Sequence, residues 1–142
     1  MSAHIICLPV EGSPYIIATV KEDAVELSHL QEAVDGRIAA YPRTEVTIHP
    51  MFCENPRWNM ARQLLTSAST KVWVNEDGIA ECSVNFALII KNPMLRPRGC
   101  PHLMGNVCLV VPEAVFKVLG FTPEMFPDEE EEEEDDEDEL DF

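Results

Sequence analysis

Three polar residues stand among strand-like apolar segments in the second half of the chain: Asn75, Glu76 and Asn85. If they face one cleft, two amides and one carboxylate could bind a small polar ligand or a base, or support catalysis. The same residues also have a purely structural explanation. Asn and Asp side chains bond nearby backbone groups, so residues 75–78 can close a hairpin while Asn85 caps a helix. The structural explanation is the simpler one, and the ligand site is the alternative hypothesis.

Five cysteines are scattered along the chain, and one of them, Cys100, lies close to His102. Together with Cys53, Cys82 or Cys108 this pair could hold a metal ion, and alone it could act as a nucleophile and its base. Zinc sites normally show recognisable paired spacings, whereas only one close Cys/His pair is present here. We therefore predict no metal site, no cofactor and no catalytic residues.

Arginines in two segments could contact phosphates. Arg96 and Arg98 flank a proline in a loop-like stretch, and Arg57 and Arg62 fall on a predicted helix. A nucleic-acid-binding domain usually has a clear excess of basic residues. Residues 1–127 instead contain 13 acidic and 10 basic residues, a net charge of −3. Direct nucleic-acid binding is therefore disfavoured, and Arg96 and Arg98 stay as candidates for phosphate contact.

The strongest local signal is the acidic tail, residues 128–142, which holds 13 of the 26 acidic residues and no basic one. Like charges at this density repel, and the segment has no apolar face to bury, so we expect it to be disordered when free. An extended chain advances about 3.3 Å per residue, close to the phosphate spacing along one DNA strand. The tail could therefore occupy a basic groove on a partner protein, or shield Arg96 and Arg98 of its own domain.

The tail ends in Asp138, Glu139, Leu140, Asp141 and Phe142, so two apolar side chains follow the run of acids. This end resembles the acidic C-terminal tips of single-stranded-DNA-binding proteins. That resemblance implies that the last Phe docks in a basic-rimmed apolar pocket of a partner protein. A tail that only keeps the protein soluble is the alternative.

Turn and cap residues predict the elements that must position these groups. Residues 4–10 and 15–20 are apolar, β-branched runs separated by a Gly-Ser-Pro turn, which indicates a β-hairpin. A short helix follows, with Ser28 as its N-cap, Gln31 in a capping box and Gly36 just beyond its end.

The middle of the chain alternates strands and helices. Residues 37–41 and 46–52 are predicted to form a second strand pair. Asn55 is placed to cap a second helix that begins at a proline. Residues 71–75 are predicted to be a strand, and residues 79–82 are predicted to return antiparallel to it after an Asp-Gly turn.

Towards the end of the domain, residues 85–90 fit either a strand or a short helix, and residues 91–105 are irregular. Residues 106–111 form an apolar run that predicts a buried strand. A final helix is expected from Pro112 to Leu119, ended by a glycine. Hairpins and short helices in mixed order predict an α+β fold built on a mainly antiparallel sheet.

Length and composition predict one globular domain over residues 1–127, followed by the tail at residues 128–142. The odd number of cysteines, without a C-x-x-C pair, favours a reducing, intracellular compartment rather than secretion. No signal peptide and no apolar stretch long enough to span a membrane is expected. The oligomeric state is left open.

Three short motifs occur in one order along the domain: Leu30-Gln31-x-x-Val34-x-Gly36-x-Ile38, then Val74-Asn75-Glu76-x-Gly78 with Val84-Asn85-x-Ala87, and finally Gly105-Asn106-Val107-x-Leu109-Val110-Val111. In this order they resemble domain-of-unknown-function family 3846, over roughly residues 5–119. The resemblance implies a small viral or phage accessory protein, acting in the host cytoplasm or nucleus. It brings no known catalytic residues.

These observations lead to competing functional hypotheses. The favoured one is a non-enzymatic binding protein whose tail contacts a basic surface on a partner. The second is a ligand-binding or catalytic domain that uses Asn75, Glu76 and Asn85. Direct DNA binding would need a basic face on the domain, which the sequence does not predict.

Overall fold

The computed structural model describes residues 1–126 of the 142-residue chain. The acidic tail, with the candidate contact residues Asp138, Glu139, Leu140, Asp141 and Phe142, lies outside the described residues. The described part is an α+β fold of antiparallel sheets, as predicted. Its strands are β1 Ser2–Leu8, β2 Tyr15–Lys21, β3 Ile38–Tyr41, β4 Val46–Ile48, β5 Lys71–Asn75, β6 Val84–Ile90, β7 His102–Met104 and β8 Val107–Pro112.

Two sheets organise these strands. A five-stranded sheet has the order β2-β1-β8-β5-β3, and a three-stranded sheet has the order β4-β6-β7. The first hairpin is confirmed, because β1 and β2 pair antiparallel, with a bulge between Ile5 and Ile6. The ambiguous residues 85–90 belong to a strand, and a short strand, β7, lies inside the segment predicted to be irregular.

The predicted second strand pair is wrong. β3 pairs with β5, whereas β4 pairs with β6 in the other sheet. Residues Arg43–Glu45 form a turn of 3-10 helix instead of a tight hairpin turn. After this turn, β4 lies in the smaller sheet rather than beside β3.

Four α-helices accompany the sheets: α1 Leu27–Val34, α2 Pro56–Leu64, α3 Gly78–Glu81 and α4 Glu113–Leu119. The cap of α2 is confirmed, since the Asn55 side chain accepts from the backbone N–H groups of Arg57 and Trp58. Gly120 ends α4 in the left-handed conformation. The predicted N-cap of α1 is wrong: Glu26, not Ser28, begins this helix, because the Glu26 and His29 side chains form a reciprocal capping box.

The predicted return strand at residues 79–82 is also wrong, because α3 occupies this position. The Asn75 side chain accepts from the backbone N–H of Asp77 at 2.8 Å, and this local turn directs the chain into the helix. The lack of a side chain at Gly78 permits α3 to pack against β7. A Cβ on Gly78 would lie 2.9 Å from the carbonyl oxygen of Met104, so the helix can sit against β7 only without a side chain there.

The larger sheet is covered on both faces. On one face, Ile5 and Cys108 pack against the apolar side of α1. On the other, Ile6 and Leu109 belong to a larger core shared with α2, α4 and the three-stranded sheet. Phe126, the last described residue, is buried in this core against Phe116. Within residues 1–126, no helix has the length and apolar composition needed to cross a bilayer.

Candidate functional site

Asn75 ends β5 and is almost fully buried. Its amide nitrogen donates to the carbonyl oxygens of Val34 at 3.1 Å and Asp35 at 3.4 Å, where α1 ends. Asp35 adopts the left-handed conformation that closes this helix. Asn75 therefore bonds β5 to the exposed carbonyls at the end of α1 while its oxygen shapes the turn before α3.

Asn85 lies in β6 with no exposed surface. Its amide nitrogen faces three carbonyl oxygens, those of Leu8 at 3.2 Å, Pro9 at 3.4 Å and Gly105 at 3.1 Å. Its amide oxygen has no partner among residues 1–126. Because the donor side is directed at backbone groups from two distant loops, a ligand could reach this amide only if those loops moved apart.

Glu76 is directed elsewhere. Its carboxylate lies 3.5 Å from the guanidinium of Arg37, which also donates to both carboxylate oxygens of Asp77 at 3.0 and 2.7 Å. The hydrogen bond from Arg37 lowers the pKa of Asp77 below its usual value. The structure thus brings Asn75 and Asn85 to neighbouring positions in the fold, and Glu76 faces Arg37 in a surface ion-pair cluster. Asn75 and Glu76 also line one groove of about 230 Å³, which Asn85 does not line.

Gly105 connects the two amides. It has a φ of +83°, its carbonyl accepts from Asn85, and a Cβ at this position would lie 3.8 Å from the Cβ of Asn75. The next residue, Asn106, accepts from the backbone N–H of Val10 at 2.9 Å. Sequence reasoning missed Asn106 as a structural partner; the recurrence of asparagines next to turns is the signal that could have identified it. We call Asn75, Asn85, Gly105 and Asn106 the asparagine cluster.

A polar cleft of about 510 Å³ opens beside the asparagine cluster, between the β1–β2 loop, the end of α1 and the β7–β8 turn. Three carboxylate residues line it: Glu11, Asp35 and Glu81. Cys82 lies there too, and burial and the neighbouring acids raise the pKa of its thiol, which disfavours the thiolate. This loop cleft is therefore acidic in character.

The remaining cysteines are dispersed. Cys108 is fully buried in β8, and burial raises the pKa of its thiol to about 12. Cys100 directs its thiol at the carbonyl of His102, whose ring lies against the carbonyl of Leu88. Within residues 1–126, no three His, Cys, Asp or Glu side chains converge in a way that could hold a metal ion.

Arg96 and Arg98 belong to a region with an unusual charge distribution. Between Glu81 and Glu113 the sequence contains no acidic residue, and its three basic residues are Lys91, Arg96 and Arg98. Arg96 donates to the carbonyls of Ile90 and Lys91. Lys91 and Arg98 are exposed, and no other group in residues 1–126 bonds or pairs with their side chains. The segment between Glu81 and Glu113 is thus locally basic, although residues 1–127 as a whole are slightly acidic. We call the surface around Lys91 and Arg98 the basic face.

An apolar groove of about 230 Å³ runs beside this basic segment, between the edge strands β3 and β7. Its main apolar walls are Tyr41, Ile79, Ile90, Leu95 and Leu103. Phe86, which is 61% exposed, packs edge-on against the ring of His102 at the groove's border. Met94 in the adjoining loop is 89% exposed. Large apolar side chains are therefore left uncovered here.

A second, smaller cleft of about 150 Å³ lies next to the groove. We call it the cationic cleft, because Arg43, Arg62 and Lys91 line it together with three threonines, Thr44, Thr47 and Thr66, and no carboxylate residue. The groove and the cleft adjoin along the chain, at residues 41–43 and at residues 90–91. Sequence reasoning missed Arg43 and Lys91; the absence of acids over residues 82–112 is the signal that points to this face.

Known proteins give no further guide to the site. No family model, no curated protein and no solved structure matches the chain.

Proposed function

We propose that this protein is a non-enzymatic, protein-binding module, and that its acidic tail contacts a basic surface on a partner protein. We further propose that it is a viral or phage accessory protein, on the strength of the motif resemblance alone. The observation that carries the binding function is the sequence of the tail: 13 acids, no base, and two apolar residues at the end. Blocks of like charge with this composition are typical of interaction tails.

The hydrogen bonds and ion pairs of the described residues support this proposal. Asn75 and Asn85 direct their amide nitrogens at backbone carbonyls, and Glu76 lies in an ion-pair cluster with Arg37. These candidate ligand-binding groups therefore already serve the fold. The uncovered apolar and basic side chains lie instead on the face formed by the apolar groove and the cationic cleft, which suits contacts with another polypeptide.

Affinity capture from host lysate tests the proposal with three forms of the protein as bait. The full chain, a chain that ends at Pro127 and the full chain with Phe142→Ala are compared at low and high salt. We expect the full chain to retain basic proteins at low salt. Truncation should remove them, and high salt should weaken their retention, because exposed charges are screened beyond about 10 Å at 0.1 M salt.

Two controls make the result specific. Folding of the truncated chain is verified by its amide NMR spectrum. A variant that moves Phe142 to the start of the tail keeps the charge but loses the aromatic ring at the end. If all forms retain the same proteins at low salt, the tail acts only as a solubilising segment and the proposal is wrong.

A further inference from the structure

The apolar groove and the cationic cleft leave some of their lining side chains uncovered. In the groove, Ile79 and Leu95 are 57% and 46% exposed. In the cleft, Arg43 donates to the Leu65 carbonyl and Arg62 to the Asn59 side chain, while the Lys91 side chain has no bonding partner among residues 1–126. The two surfaces are linked through the neighbouring residues Ile90 and Lys91, so a ligand that reaches both needs negative charge beside an apolar group.

We propose that this ligand is the end of the same chain. Leu140 and Phe142 occupy the apolar groove, and the acids before them lie over the cationic cleft and Arg98. Because it rests on the proposed function, this docking defines a regulation of that function: the tail is held on its own domain until a basic partner surface competes for it.

Charge complementarity selects the tail as the occupant. The cationic cleft presents Arg43, Arg62 and Lys91 without a lining carboxylate, while the tail carries acids alone. The larger loop cleft is excluded as the docking site, because Glu11, Asp35 and Glu81 line it and would repel the tail. In the apolar groove the acidic lining residue is Glu76, which lies beside Arg37.

The cationic cleft lies near the helix that precedes the tail. Thr66 lines the cleft and also the crevice against α4. The described chain ends soon after α4, at the buried Phe126. In the tail the acids come before Leu140 and Phe142, so in the proposed docking the acids lie over the cleft and the apolar end lies in the groove.

The chain is long enough. The 16 residues after Phe126 can span at most about 53 Å when extended. A compact domain of this size has a radius of gyration of about 14 Å and hence a diameter of about 36 Å, which is less than the reach of the tail. A tether of this length gives an effective concentration of about 1 mM, so a site of about 100 μM affinity would be about 90% occupied.

Proton NMR on the full chain tests the docking. We expect nuclear Overhauser contacts between the Phe142 ring and the methyl groups of Ile79, Ile90 and Leu103 at low salt. These contacts should be lost in Phe142→Ala, and they should weaken at least fivefold at 0.5 M salt. If the amide chemical shifts of the groove residues are the same in the full chain and in Phe142→Ala, the docking is wrong.

A matched pair of charge reversals separates a specific cationic surface from net charge. Lys91→Glu with Arg98→Glu changes the basic face, and Lys21→Glu with Lys71→Glu makes the same change of charge at two exposed positions elsewhere. We expect the first pair to abolish the contacts and the second pair to retain them. If both pairs lose the Phe142 contacts equally, the docking is wrong. It is also wrong if the contacts occur only between differently labelled molecules, since the groove would then bind the tail of a second copy.

The regulatory consequence has its own readout in the capture experiment. Release of a tail that is about 90% docked should raise retention of basic proteins about tenfold for the Lys91→Glu, Arg98→Glu variant, relative to the Lys21→Glu, Lys71→Glu control. NMR contacts without any tail-dependent capture would support the docking and contradict the proposed function. Tail-dependent capture without NMR contacts would support the proposed function and contradict the docking.

Discussion

The asparagine cluster and the basic face differ in the burial and the bonding of their polar side chains. In the cluster, Asn75 and Asn85 are buried and direct their amide nitrogens at backbone carbonyls distant in sequence. On the basic face, Lys91 and Arg98 are exposed and unpartnered within residues 1–126. Polar residues in a pattern typical of a ligand site can therefore also hold the fold together, while exposed and unpartnered cations occupy a segment that looks irregular in the sequence.

The physical basis of this difference is the cost of burial. The donor groups of a buried amide are bonded inside the protein, as the amide nitrogens of Asn75 and Asn85 are, so the orientation of the side chain is fixed by the fold. An exposed cation is satisfied by water and can exchange that water for a carboxylate at little cost. Substitutions should consequently affect stability at the asparagine cluster and affect binding at the basic face.

The largest effect is expected for Asn85→Asp. The carboxylate would place an oxygen where the amide nitrogen now faces three carbonyl oxygens, in a position with no exposed surface. We expect the free energy of unfolding in urea to fall by at least about 4 kcal/mol, because a buried charge would lack a counter-charge.

The matched control is Asn59→Asp on α2, where the side chain lies beside Arg62 at the surface and the added charge is compensated. It should change stability by less than about 0.5 kcal/mol. If Asn85→Asp does not fold, Asn85→Ala should still cost about 2–3 kcal/mol through the unpaired carbonyls. A cost within 1 kcal/mol for both Asn85 variants would contradict the structural role of this amide.

A smaller loss is expected for Gly105→Ala. Its φ of +83° disfavours a side chain, and the new Cβ would lie 2.9 Å from the sulfur and 3.0 Å from the Cβ of Cys82. We expect a cost of about 2–3 kcal/mol in urea unfolding. Gly120→Ala is the control, since it has a similar φ of +77° and open space around it. An equal cost at both glycines would mean that contact with Cys82 contributes nothing.

At the basic face, Arg98→Gly should raise stability slightly. Arg98 has a φ of +53°, a conformation that costs a non-glycine residue about 1 kcal/mol or more, and its side chain has no bonding partner within residues 1–126. The larger entropy of glycine in the unfolded chain offsets part of this gain, leaving about 0.5 kcal/mol. A loss above 1 kcal/mol in thermal unfolding would show that Arg98 supports the fold, and the contrast between the two regions would then fail.

The smallest effect on stability is expected for Lys91→Glu combined with Arg98→Glu. Exposed cations without protein partners contribute little to folding, so the free energy of unfolding should stay within about 0.5 kcal/mol of the unmodified protein. Urea unfolding at high salt, where surface charges are screened, provides the measurement. A loss of more than 1 kcal/mol under these conditions would place these side chains in the fold rather than in a binding surface.

Elements with strong local signals could be predicted from the sequence. Asn55 followed by proline defines the start of α2, and Gly120 ends α4, because caps and left-handed positions depend on single residue types. The first hairpin was predicted for the same reason, since its turn residues separate two β-branched runs. The α+β class followed from the mixed order of such elements.

Strand pairing beyond the first hairpin could not be predicted. The runs that form β3 and β4 are close in sequence and were predicted to pair with each other, yet β3 pairs with β5 and β4 pairs with β6. Pairing of this kind depends on which apolar faces meet across the core, and that information is spread over distant segments. The same limit applies to residues 79–82, where helix α3 packs against β7 and Gly78 approaches the Met104 carbonyl too closely for a side chain.

Composition and local backbone chemistry are enough to predict an acidic segment after a nearly neutral one, the fold class, and the residues that cap α2 and α4. They do not show that the Asn75 and Asn85 amide nitrogens bond backbone carbonyls, or that Arg43, Arg62 and Lys91 line one cleft. Burial and convergence depend on long-range packing, which brings residues far apart in the chain within a few ångströms of each other.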